Sequence, residues 1–477
     1  MTTRPRIHVA LALVFACAGT IPAVRTVRLH PSTWLGVALR AAEGQTNPQG
    51  PAKAGRYVLY EDARIITGDG SAAIENGAML VDGDTISRVG RKGDVAAPAG
   101  AAWVDLTGKT IIPGMVLAHG HIGYLRGTTF SRDNYTRDNI LDQLNRYLYY
   151  GVVAMMSTGT DPGDLPFELR NQQHPGALFR TAGRGLAAPD ASTGNLAMRS
   201  VPYGVATEDE ARRDVRELAA KKPDVVKIWV DDRNGTVKKL SPPLYRAIID
   251  EAHKQGLRVV VHVYYLADAR DLVEAGADGF LHLVRDEEMD DALVARMKAK
   301  RMFVTPNLST SEAGTYTNKP VWLEDPLLAE SASPAVIKKV ADLYAARAAG
   351  QPRTAAIASY QKQQRSLARL NAAGVTIALG DDTGIENTFY GYGEHHELEL
   401  MVAAGMTPMQ AIVAATNTPA GLLKLDRLGT IAPGKSADFV VLDANPLDSI
   451  ANTRKISKVY QRGQEVDRLA LRATLLK

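Results

Sequence analysis

A single cysteine among 477 residues excludes an intrachain disulfide framework and any cysteine-based zinc module. No tandem repeat or low-complexity block follows the first fifty residues, which excludes solenoids and arrays. No glycine-rich phosphate fingerprint follows the first apolar strand of the main body, which argues against a doubly wound nucleotide-binding sheet. Charge of one sign is also scarce. The chain carries 56 basic and 52 acidic residues, a net of +4. Within residues 1–48, five arginines (Arg4, Arg6, Arg25, Arg28, Arg40) face only Glu43, so the rest is balanced at 51 basic and 51 acidic residues. A basic surface for nucleic acid is therefore not expected. What is abundant is apolar content, 45% of the chain, enough for a large folded core.

The N-terminus has its own composition. Two arginines precede the uncharged stretch Ile7–Val24, which contains the small-residue triplet Ala16-Cys17-Ala18. That pattern describes a secretory signal peptide over residues 1–24, and the run is short for a membrane span. Val14-Phe15-Ala16-Cys17 also resembles a bacterial lipobox, in which Cys17 would carry a lipid anchor, although Phe15 departs from that pattern. Residues 25–55 read as a linker. The expected location is outside the cytoplasm, periplasmic or secreted, without stable membrane insertion.

Residues 56–113 form strand-like runs broken by Gly/Asp turns, and residues 429–477 contain a second such set. Neither is long enough to bury a core alone, so a small β-sandwich built from both ends is the economical arrangement. Between them, residues 114–428 alternate apolar β-branched runs with amphipathic helical stretches. Eight candidate strands fall at 115–122, 152–159, 177–185, 225–230, 258–264, 279–284, 302–308 and 376–382. The predicted fold class is α/β, a (β/α)8 TIM barrel carrying a small β-sandwich domain.

Polar residues interrupt these strands near their C-terminal ends, where barrel enzymes assemble their sites. They are His119 and His121 on the first strand, Lys227 on the fourth, His262 on the fifth, His282 on the sixth, and Asp381-Asp382 after the eighth. Residues two apart in an extended chain point to one face, which pairs His119 with His121, and Lys227 with Trp229 and Asp231. Imidazole and carboxylate together suit zinc or a similar divalent ion. Lys227 does not ligate as an ammonium. Desolvation and nearby positive charge favour its neutral amine, which reacts with CO2 to form a carbamate, a carboxylate able to bridge two metals.

With PGMVLAHGHIG, the ordered Lys, His, His and Asp, and the tail ATNTPAGLLKLDRLGTIAPGKSADFVVLDANPL, the sequence resembles the amidohydrolase superfamily over residues 56–466. It is similar in particular to the imidazolonepropionase and Xaa-Pro dipeptidase branches. The resemblance implies two divalent metal ions, zinc being the expected one. His119, His121 and Asp382 would bind the more buried ion and His262 and His282 the more exposed one, with carboxylated Lys227 and a hydroxide bridging them. Alignment of GDDTG with the superfamily's Gly-Thr-Asp selects Asp382 over Asp381. The implied reaction is hydrolysis of an amide or peptide C–N bond, with Asp382 as acid–base. Tyr264, on the same face as His262, would help hold a substrate carboxylate.

A lactone or ester hydrolase on the same metals is the alternative. A deaminase is disfavoured, because Tyr265 and Arg285 stand three residues after His262 and His282, where a catalytic glutamate is wanted. A non-catalytic secreted binding protein is disfavoured because every ligand position is filled. His395 and His396 read as helix-start residues. The expected partner is a small-molecule substrate; a homo-oligomer is compatible with this composition.

Overall fold

The computed structural model describes residues 56–348 and 353–476. The expected signal peptide, linker and Cys17 lie outside the described residues. β1 (Tyr57–Ile65), β2 (Ile74–Asp82), β3 (Thr85–Arg91), β4 (Ala102–Asp105) and β5 (Thr110–Pro113) come first. Only Gly114 separates β5 from β6 (Met115–Gly120), which is followed by β7 (Val152–Ser157) and β8 (Leu178–Thr181). Next come β9 (Leu186–Ala187), β10 (Tyr203–Gly204), β11 (Val226–Val230), β12 (Val259–Val263), β13 (Gly279–Phe280), β14 (Phe303–Val304) and β15 (Thr376–Ile377). β16 (Phe439–Leu442), β17 (Ile456–Gln461) and β18 (Gln464–Glu465) are the last strands, followed by a helix at Arg468–Leu475.

The protein has an α/β fold. β6, β7 and β8 form one parallel sheet and β9 to β15 another, with helices between successive strands except β8 and β9. Strands β6, β7 and β11 are buried at every residue, as expected for parallel strands covered on both faces. The helices are set by their own signals. Thr207 and Glu210 form a capping box at the start of α1 (Glu208–Ala220), and α2 (Leu266–Ala275) stops at Gly276. Hydrogen bonds cross both seams between the two sheets. On one side Ala118 N–H donates to Leu379 O (2.9 Å) and His121 N–H to Thr383 O (2.6 Å). On the other, Asp224 N–H donates to Thr181 O (2.9 Å) and Gly185 N–H to Gly159 O (2.7 Å).

The strands from both ends of the body share one eight-stranded sheet, where the sequence led us to expect a two-layered sandwich. β5 pairs antiparallel with β16, Phe439 opposite Pro113, and parallel with β1. The sheet curls, because Ile86 N–H, at the β3 edge, donates to Lys435 O (2.8 Å) just before β16. Its inner face holds Tyr60, Phe439 and Tyr460, with Phe439 stacked on Tyr460 at 4.4 Å between ring centres. This sheet anchors β5, and through Gly114 it sets the start of β6, the strand that carries His119 and leads directly into His121. Among the described residues no helix is long and apolar enough to cross a membrane.

Candidate metal centre

β6 ends at Gly120, so His119 lies on the strand and His121 just past it. Both are buried, at 0% and 5% exposure. Asp382 comes to them from the turn after β15. Its Oδ1 lies 3.2 Å from His119 Nε2 and 3.0 Å from His121 Nε2, and one ligand atom from each of the three residues lies within 4.8 Å of the others. Asp382 adopts a left-handed backbone (φ 64°), so its direction is set by a tight turn and not by an extended strand. That turn needs Gly384, at φ 99°, where a Cβ would stand 1.9 Å from the His121 carbonyl oxygen. Gly384→Ala should therefore destabilise the protein by about 3 kcal/mol and displace His121. Urea unfolding together with metal stoichiometry checks this; unchanged values for both would refute it.

His119 Nε2 and Asp382 Oδ1 are buried and close, yet misaligned for a hydrogen bond, and each is left without a partner. Buried polar atoms are rarely orphaned, and an imidazole nitrogen beside a carboxylate oxygen is the donor set of a divalent cation site. The ring nitrogens on the far sides are held. With the Asn307 amide turned so that Oδ1 accepts from His119 Nδ1 (2.8 Å), it also accepts from Asp382 N–H (3.0 Å). His121 Nδ1 pairs with Thr160 Oγ1 at 2.8 Å. Such outer contacts hold the tautomer that leaves Nε2 free for a metal.

The other expected residues gather on the same side. The His282 ring centre is 5.1 Å from that of His119 and 4.4 Å from that of His262. His262 Nε2 contacts Asp231 Oδ2 at 3.1 Å, while Arg285 Nη2 lies 3.3 Å from His282 Nδ1. Lys227 is 1% exposed, and its Nζ stands 5.1 Å from the Trp229 ring centre. Its stem packs on Gly159 (φ 88°), where a Cβ would approach within 2.7 Å of Lys227 Cγ. Burial, aided by the Arg285 charge and opposed by Asp382, pushes the Lys227 amine down to about 7. Burial likewise brings His119 and His262 down to about 4 and His282 well below its ordinary value, so these rings are neutral and fit to ligate. Burial works to raise Asp382, but the neighbouring His119 and His121 hold it well below the usual carboxylate range.

Asp381 points away from this group. Its carboxylate accepts from Thr383 N–H (2.9 Å) and the Thr383 hydroxyl, and burial pushes it up to about 7. Tyr264 is partly buried beside Tyr265, with ring centres 4.7 Å apart. His395 lies inside α3 (Tyr392–Ala403), bonded to Tyr150 O and Thr453 Oγ1 (2.9 and 3.0 Å), a structural role. His396 instead pairs with Glu312 at 2.6 Å and lines a cavity of about 400 Å³ with Trp322 and Tyr344. Sequence reasoning missed Asn307 and Thr160 as supports. Asn307 closes the apolar run MFVTPNL, where a polar residue at a strand end was a readable signal. Thr160 carried none.

A sequence profile of the amidohydrolase family matches residues 110–466. The chain belongs to the amidohydrolase family. This amidohydrolase is 29% identical to an ochratoxinase of Aspergillus niger over 270 residues, 54% of this chain and 47% of that protein. It therefore spans about half the length of that relative. It is 24% identical to an imidazolonepropionase of Streptomyces griseus over 427 residues, 86% of this chain and 97% of that one. Its fold is that of a solved Xaa-Pro dipeptidase with bound methionine in the active site. That likeness has a TM-score of 0.67 at 20% identity and covers 86% of this chain and 99% of the other.

Proposed function

We propose that this amidohydrolase is a binuclear metal-dependent hydrolase cleaving an amide or peptide C–N bond in a small-molecule substrate, of dipeptide or N-acyl amino acid type. The observation that carries the reading is the buried, partnerless pair His119 Nε2 and Asp382 Oδ1 beside His121. The hydrogen-bonded seams support reading the two parallel sheets as one (β/α)8 barrel, with the ligands at its C-terminal mouth. The curled terminal sheet would then be the sandwich domain. The leader supports export from the cytoplasm.

His119, His121 and Asp382 would hold one divalent ion, zinc being the expected one, and His262 and His282 a second, with carboxylated Lys227 between them. Bound divalent ions supply Lewis acidity and lower the pKa of water toward neutrality. Asp382 is the residue to accept a proton from the attacking water and deliver it to the leaving nitrogen. The depressed pKa keeps it ionised before attack. Asn307, Thr160 and Asp231 orient the three imidazoles they touch. Tyr264, close to His262 on the strand-five side, would contact the substrate carboxylate.

The Lys227 shift has a pH consequence. Its folded pKa lies below the ordinary 10.5, so between about 7 and 10.5 the unfolded chain binds more protons and metal-free protein gains stability as pH rises. The neutral amine is present above about pH 7, so carbamate carbon from ¹³C-bicarbonate should appear at Lys227 through that pH and level off about one unit higher. Labelling that begins only near pH 10, followed by NMR, would contradict this. The functional reading is tested by offering metal-loaded protein a panel of N-acyl amino acids, Xaa-Pro dipeptides and lactones. Turnover of the amides is expected; turnover of lactones alone would replace the reading with an esterase.

A further inference from the structure

Away from the metal centre, the cavity of about 400 Å³ beside His396 combines an aromatic wall with two arginines that have no carboxylate. Trp322 is the middle of that wall. Its ring centre lies 6.4 Å from that of Tyr344, 6.0 Å from Phe389 and 5.6 Å from His396. Tyr316 stands edge-on to Tyr344 at 5.4 Å. A cavity of this size, walled by aromatic rings, fits a flat molecule of one or two fused rings.

The charges on the same cavity are unbalanced. Arg347, near the end of the helix Pro334–Ala348, and Arg353 both line it. The Arg347 guanidinium lies 5.5 Å from the Tyr344 ring centre and donates through Nη1 to Ala313 O (3.2 Å). Arg353 Nη2 reaches Arg347 O only at 3.5 Å, and Arg353 Nε is buried without a hydrogen-bond partner. Among the described residues neither arginine enters an ion pair, and residues 349–352 between them include no acid. The carboxylates on or behind the wall are already engaged. Glu312 pairs with His396 (2.6 Å), Glu386 with Lys339 (2.8 Å), and Asp325 and Glu399 with Arg454. Two neighbouring guanidinium groups left in this state call for an anion, and their planar forks match a carboxylate.

The turn after β15 divides this cavity from the metal centre. Asp382 faces His119 and His121, whereas Asp381 faces the start of α3, where a Cβ on Gly393 would stand 2.6 Å from Asp381 Oδ2. Asp381 and Thr383 line the cavity, and none of the six expected metal ligands does.

We infer that this cavity is a second small-molecule site, separate from the metal centre, and that it binds an aromatic carboxylate. The ring lies against Trp322 and Tyr344, and the carboxylate is held by Arg347 and Arg353. Calorimetry of the purified protein tests this with 2-naphthoate as the probe and the uncharged 2-naphthamide beside it. The acid should bind with a Kd of about 100 μM or tighter, and the carboxamide about 10-fold more weakly or worse, the effect of one charge-assisted contact. Arg347→Met and Arg353→Met should each weaken the acid by about 10-fold while leaving the carboxamide and the melting temperature unchanged. Arg353→Lys should retain part of the preference. Affinity for the acid should fall with added salt and should survive removal of metal by a chelator. In the hydrolysis assay 2-naphthoate should not compete with substrate; that arm alone depends on the hydrolase reading.

Equal affinity for acid and carboxamide, wild-type binding by both methionine variants, or no binding at all overturns the inference. Loss of binding on chelation, or competition with substrate, puts the probe at the metal centre and overturns it as well. If no amide is cleaved, the hydrolase reading fails, while calorimetry still decides the second site.

Discussion

Asp382→Asn should lower kcat/KM by about 10³-fold or more while leaving the melting temperature close to wild type. The side chain keeps its shape, and asparagine tolerates the left-handed backbone found there (φ 64°). What is lost is an anionic oxygen that sits 3.2 and 3.0 Å from two buried imidazole nitrogens and has no other partner. The amide neither accepts the proton from water nor returns it to a leaving nitrogen, roles worth about 10²–10⁴. The weaker ligand should also reduce metal affinity, so assays with excess zinc separate the two losses. A variant retaining more than about a tenth of wild-type turnover would remove Asp382 from the acid–base role.

Lys227→Met is expected to have an effect of similar size, with a different signature. Lys227 is buried against Trp229 and Gly159, so truncation to alanine would open a cavity and confuse chemistry with packing. Methionine approximates the stem but forms no carbamate. Purified from bicarbonate-containing medium, the variant should hold fewer than two metals per chain and lose about 10³-fold or more in kcat. Two tightly bound metals with full turnover would sink the bridging-carbamate model. Asp382→Asn should keep the ¹³C label on Lys227, whereas Lys227→Met has none, so the two losses are distinguishable.

Much of this is legible in the sequence. Runs such as VVAMMS and VVKIWV are almost wholly apolar, with Ser157 and Lys227 as the exceptions, which is the composition of strands buried on both faces, and the eight candidate segments each contain a strand of the parallel sheets. The preference for Asp382 over Asp381 came from the alignment of GDDTG with the superfamily's Gly-Thr-Asp, with which alternation along an extended strand agrees. The structure also directs Asp382 to the histidines, but through a left-handed turn beyond β15, where alternation no longer operates. The terminal strands were readable as β structure and as partners. Their union in one curled eight-stranded sheet was not, because sheet order depends on pairings between residues more than 300 apart, such as Phe439 with Pro113.

By itself the sequence determined the α/β alternation, the pairing of both ends of the body and the residue types at each strand terminus, because periodicity and turn chemistry are local properties. Only the tertiary structure decided which nitrogens are free and which are held. The Asn307 clamp on His119, the Thr160 contact with His121 and the Arg285 contact with His282 depend on distances between side chains, two of the three across separate strands. Burial decided the rest. A lysine in an apolar run becomes a neutral amine near pH 7 only when the fold removes its water.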